Sequence, residues 1–78
     1  MNQTDALVWI ADLFEEPPEK IQPELKREAI PAWDSLGVLT LMAALDEKFA
    51  IVLTEEEMQT MQSIRDIMDV LKRNGKIG

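Results

Sequence analysis

The sequence predicts an all-α fold, a bundle of four helices around one core. Three observations carry this: apolar residues recur at i, i+3, i+4 spacing in separate segments, Ser, Thr or Asp heads those segments, and no stretch alternates apolar with polar residues as a half-buried strand would. Seventy-eight residues with 46% hydrophobic content suffice for one small domain over 1–78, helical within 3–74 and frayed at 75–78. There is no internal repeat and no low-complexity tract.

The first helix is expected to take Thr4 or Asp5 as its N-cap and to run to Phe14, because Leu7, Ile10, Ala11 and Phe14 share one face. Glu15-Glu16-Pro17-Pro18 ends it, and Pro17, Pro18, Pro23 and Pro31 keep much of the stretch to Trp33 out of regular helix. A connection this long is either functional or forced by a long crossing, and the crossing is favoured, with Ile21, Leu25, Ile30 and Trp33 pinning it down.

A second helix is expected from Asp34 as N-cap to near Phe49, with Trp33 and Val38 placed as a hydrophobic staple. Gly37 stands where a capping box would have Glu or Gln, and it spares space beside Ser35 that a modifying enzyme could use. Two apolar stripes run along this helix. Val38, Leu41, Met42, Leu45 and Phe49 form the core stripe; periodicity alone favours burial of the other, Leu36, Leu39 and Ala43, over a strip kept for transient partners.

Thr54 and Glu57 form a capping box for a short third helix reaching roughly Met61. Ser63 caps a fourth, with Ile64, Ile67, Met68 and Leu71 inward, Lys72 and Arg73 at its C-terminus and Gly75 at C′.

Composition narrows the function. The chain has neither His nor Cys, which removes disulfides and essentially all nitrogen or sulfur metal sites, and leaves an enzyme only carboxylates or lysine, for which no paired constellation is evident. A formal net charge of -7 opposes nucleic acid and anionic lipid and favours partners with basic surfaces. No basic leader or apolar run of transmembrane length is seen, so a soluble, cytoplasmic protein is expected. The most informative tripeptide is Asp34-Ser35-Leu36, which sets a small hydroxyl at a helix N-terminus, where a tethered phosphate would meet unpaired N–H groups and the positive end of the helix dipole.

From Trp33 onward the chain resembles an acyl carrier protein. The resemblance rests on Asp34-Ser35-Leu36 opening the second helix, Leu41 and Leu45 leading into Asp46-Glu47-Lys48-Phe49, Glu55-Glu56-Glu57 on the third helix, and the spacing to the helix near Ile64. It implies phosphopantetheine attached to Ser35 by a phosphopantetheinyl transferase, with Asp34 orienting that reaction near the transferase's magnesium and pyrophosphate. It implies cargo held as a thioester, and chemistry done by acyl-transferring or condensing enzymes with basic surfaces. It reverses the periodicity reading, turning Leu36, Leu39 and Ala43 toward partners, with Asp46, Glu47, Glu55 and Glu56 around them. Leu45, Leu53, Met58, Met61 and Ile64 are candidates for an acyl cavity, although a plain core explains them equally well.

Gly37 and Thr40 replace the acidic residues that fatty-acid-synthesis carriers usually have after the motif, and Trp33 replaces a small residue before it. This resembles specialised carriers of secondary-metabolite, lipid-modification or surface-polysaccharide pathways. A monomer is expected, since a carrier serving several enzymes gains from a free recognition helix. The alternatives are an aminoacyl or peptidyl carrier, or an acidic helical module that binds basic or amphipathic peptides without covalent attachment.

Overall fold

Each of the four helices begins where a short polar side chain can satisfy a backbone N–H. The computed structural model describes residues 1–77 and contains α1 (Gln3–Leu13), α2 (Ser35–Phe49), α3 (Glu55–Gln59) and α4 (Ile64–Arg73), with 3₁₀ turns at Pro18–Lys20 and Arg27–Ala29 in the α1–α2 connection. No strand is formed among the described residues; one isolated antiparallel bridge joins Lys26 to Ser63. The all-α, four-helix expectation therefore holds.

α1 starts earlier than its periodicity predicts. Asn2, not Thr4 or Asp5, is the N-cap: its Oδ1 accepts from the Asp5 N–H at 2.8 Å, and Asp5 Oδ2 accepts from the Asn2 N–H at 3.4 Å. Asp5 is thus the third helical residue of a capping box, and an Asp in either role looks alike in a sequence. The buried side comprises Ala6, Ile10, Ala11 and Phe14, with Leu7 only half-buried. The helix closes through Glu15 in the left-handed region at φ 56°, with the Glu15 N–H on Asp12 O and the Glu16 N–H on Ala11 O, the Schellman pattern.

The long connection packs down at Ile21, Ile30 and Trp33, and it also completes α4. The first N–H groups of any helix lack internal acceptors. Here the Ile64 N–H donates to Leu25 O at 3.0 Å, the Arg65 N–H to Pro23 O at 2.8 Å, and the Asp66 N–H to Ser63 Oγ at 3.4 Å. In return the Arg27 N–H donates to Gln62 O at 2.8 Å. The crossing is therefore an ordered segment hydrogen-bonded to the start of α4.

α2 is placed by aromatic contacts at both ends. Trp33 stacks on Phe14 with centroids 5.3 Å apart, and Phe49 meets Trp9 edge-on at 5.1 Å. Val38, Leu41 and Leu45 face the core with Ile10, Met58, Ile64, Ile67 and Leu71, each such burial contributing roughly 1.5–3 kcal/mol before ordering costs. Gly37 departs from its reading. The space beside it is filled, since a Cβ there would lie 1.9 Å from the Ala32 carbonyl oxygen. The glycine lets the connection press against the first turn of α2.

α3 keeps its capping box, with the Glu57 N–H on Thr54 Oγ1 at 3.1 Å and the Thr54 N–H on Glu57 Oε1 at 3.0 Å. α4 ends in a second Schellman pattern through Gly75 at φ 69°, with the Lys76 N–H on Leu71 O at 2.9 Å. The expected fraying is not seen at 75–77: Ile77 is buried against the core, while Gly78 lies outside the described residues.

Two substitutions test this account in chemical denaturation. Gly37→Ala is expected to lower stability by about 1–3 kcal/mol, because displacing the Ala32 carbonyl outweighs the gain in helix propensity. Ala50→Gly is expected to raise it by about 1 kcal/mol, because Ala50 closes α2 at φ 56° where a Cβ is strained.

Candidate modification site and partner face

The site begins with the division of labour between Asp34 and Ser35. Asp34 is extended at φ -100°, and its Oδ1 accepts the Gly37 N–H at 2.9 Å while its carbonyl accepts the Val38 N–H at 2.9 Å. The Gly37 bond satisfies one of the orphan donors of α2, and the Val38 bond is the first i→i−4 bond of the helix itself. The N–H groups of Ser35 and Leu36 have no acceptor among the described residues, and Ser35 is exposed with no hydrogen bond on its hydroxyl. A reachable oxygen thus sits over two unspent donors and the positive end of a fifteen-residue helix.

Behind this turn the ground is rigid. Trp33 is only 3% exposed, and its carbonyl accepts from Arg27 Nε at 2.9 Å. Arg27 also lies 6.0 Å from the Trp33 ring centroid, within cation–π range. Sequence reasoning gave Arg27 no role. Nothing in its local pattern singles it out, because the contact depends on how the connection folds back.

Along α2 the second apolar stripe faces solvent. Leu36 is 72% and Leu39 52% exposed, and Ala43 is exposed as well, so the burial favoured by periodicity is overturned. The core covers one side of α2, and no element covers the other. The Thr40 hydroxyl donates to Leu36 O at 3.0 Å, so this polar side chain within the stripe is satisfied locally. Asp46 and Glu47 are exposed near the end of α2, as are Glu55 and Glu56 in the first turn of α3. Val52, 78% exposed in the α2–α3 connection, was missed, because Ile51-Val52-Leu53 is apolar throughout and only the structure separates its exposed middle residue from buried Ile51 and half-buried Leu53.

The five residues read as a possible acyl cavity separate into two groups. Leu45, Met58 and Ile64 are sealed within the core. Leu53 and Met61 border an open groove of about 570 Å³ between α3 and α4, with Val70 adding apolar wall and Thr60, Asp66 and Lys72 polar rim. Among the described residues no group of three carboxylates that could hold a metal occurs, and no helix is long and apolar enough to cross a membrane.

With the geometry in view, similar proteins become informative. An acyl carrier protein of Thermosynechococcus vestitus is 31% identical over 99% of this chain and 98% of its own length. The chain belongs to the acyl carrier protein family. Acyl carrier proteins of Campylobacter curvus, 34% identical over 76% of this chain and 77% of their own, and of Wolinella succinogenes, 33% identical over 73% and 75%, align less fully. No protein-family profile matches the chain. Membership gives the molecule a carrier's role.

Among the acids near α3, Glu57 is set apart. The Thr54 backbone N–H and then its hydroxyl, both bonded to Glu57 Oε1, hold this carboxyl below its ordinary value of 4.5; desolvation opposes them, and the field of Arg73 adds the smallest part of the lowering. A carboxylate whose folded pKa is depressed adds stability that is complete above the unfolded value and vanishes as pH falls through the folded one. The stability difference between wild type and Glu57→Gln should therefore be largest near neutrality and shrink below about pH 4.5 in denaturation curves recorded from pH 7 to 3.

Proposed function

We propose that this chain carries an acyl group as a thioester on a phosphopantetheine arm joined to Ser35, and presents it to biosynthetic enzymes acting in trans. The observation that carries this reading is the exposed, unbonded Ser35 hydroxyl beside an Asp34 that already fills the capping position. The donor set suits a phosphodiester, since the Ser35 and Leu36 N–H groups and the helix dipole all favour an anion there. When bound, the arm supplies the thiol that holds the cargo.

The Ser35 hydroxyl would attack the pantetheine-side phosphorus of coenzyme A, the pyrophosphate P–O bond would break with adenosine 3′,5′-bisphosphate as leaving group, and the hydroxyl proton would pass to a base on the phosphopantetheinyl transferase. Asp34 holds the first turn through Oδ1, and its Oδ2, which has no hydrogen bond among the described residues, is free to orient the transferase reaction. Leu36, Leu39 and Ala43 would dock partners. Asp46, Glu47, Glu55 and Glu56 would draw basic enzyme surfaces at high encounter rates with modest affinity, which a shuttle requires. A cytoplasmic monomer fits this use, because self-association would cover the docking helix.

The groove beside Leu53 and Met61 is the candidate path for cargo, with the methionines yielding at modest cost. A dedicated lipid or secondary-metabolite carrier is favoured over a housekeeping one, because Gly37 and Thr40 leave the first turn of the docking helix without acids.

Incubation with coenzyme A and a phosphopantetheinyl transferase is expected to add one phosphopantetheine mass to wild type and none to Ser35→Ala. An unmodified wild type, with its fold intact by circular dichroism, would overturn the proposal.

A further inference from the structure

We propose that Arg27, with the pocket it borders beside the α2 N-terminus, is a binding site for a phosphate ester, placed to receive the anion handled at Ser35. This rests on the function proposed above. The pocket has a volume of about 360 Å³ and is bordered by Arg27, Glu28, Ile30, Pro31, Trp33 and Gln62. Its one cation is held in place. Arg27 is half-buried, its Nε is anchored on Trp33 O at 2.9 Å, and its guanidinium lies 6.0 Å from the Trp33 ring centroid.

Anchoring through Nε leaves the two terminal nitrogens as a fork of the shape that grips phosphate oxygens. In a chain of net charge -7, this fork has no carboxylate within ion-pair distance among the described residues, and its terminal nitrogens have no hydrogen-bond partner there. Glu28 borders the same pocket without pairing to it. Leaving a half-buried cation unpaired forgoes stabilisation, whereas an arriving anion would recover it. The indole Nε1 of Trp33, a residue that also borders the pocket, is buried without a hydrogen-bond partner among the described residues.

Position links the pocket to Ser35. The anchoring carbonyl belongs to Trp33, which Asp34 alone separates from Ser35 along the chain. The phosphate has two possible sources, the diester of the attached arm and the phosphates of incoming coenzyme A.

The test follows the Arg27 Nε–H resonance in isotope-labelled protein, assigned by its loss in Arg27→Lys. Three samples are compared: unmodified protein, protein loaded by the transferase, and unmodified protein titrated with coenzyme A without transferase. The Arg27 signal is expected to move while Arg65 and Arg73 stay, and the movement should shrink as sodium chloride is raised. Movement only on loading assigns the site to the arm, and movement already with free coenzyme A assigns it to the incoming donor. An Arg27 signal unmoved in both samples overturns the proposal. Mass spectrometry keeps the two ideas distinct, because a chain that never gains the arm defeats the function proposed above while the coenzyme A titration still judges the pocket.

Discussion

The structure depends on the hydrogen bonds by which the α1–α2 connection completes the first turn of α4. Carbonyls of Pro23 and Leu25 accept the N–H groups of Arg65 and Ile64, and the Arg27 N–H reaches Gln62 O. Each such bond contributes only about 1 kcal/mol net, yet a buried helix start left without acceptors would be costlier than the bonds are favourable. The connection can therefore follow few other paths. That path carries Ile30 and Trp33 into the core, lays Trp33 on Phe14, and presses Ala32 against Gly37. Ser35 stands where it does because the preceding residues have no freedom to move it.

The function follows from what this packing leaves open. α2 is clamped at its ends by Trp33 on Phe14 and by Phe49 on Trp9, and it spends one side on the core. Its other side, with Leu36 and Leu39, is uncovered among the described residues, and Asp46 and Glu47 of α2 and Glu55 and Glu56 of α3 are exposed. Under the function proposed above, such a face would dock partner enzymes and its acids would steer them. The glycine in the first turn of α2 permits the close approach that holds the start of the helix to the connection.

Much of this was legible in the residues. Local chemistry marked three of the four helix starts, because Asp34, Thr54 and Ser63 are each good N-cap residues, with a full capping box among them only at Thr54. α1 was misplaced because Asp5 can act as a cap or as the acid of a box begun by Asn2, and only the backbone decides between them. The core stripe of α2 was readable from its period. The exposure of the second stripe was not, because a helix with two apolar stripes gives the same pattern whether one side or both are covered. Ile77 was read as part of a frayed tail, since a lone apolar residue after a helix gives no sign that the Schellman turn at Gly75 returns it to the core.

By itself the sequence determined the all-α class, the caps of α2, α3 and α4, the serine at the head of α2 and the acidic field, all of which arise from residues within a few positions of one another. Tertiary structure alone decided that Gly37 is held by the Ala32 carbonyl, that Arg27 is anchored beside the site with its fork unspent, and that one stripe of α2 stays bare. Those features join residues brought close by the path of the long connection, and such closeness leaves no periodic trace along the chain.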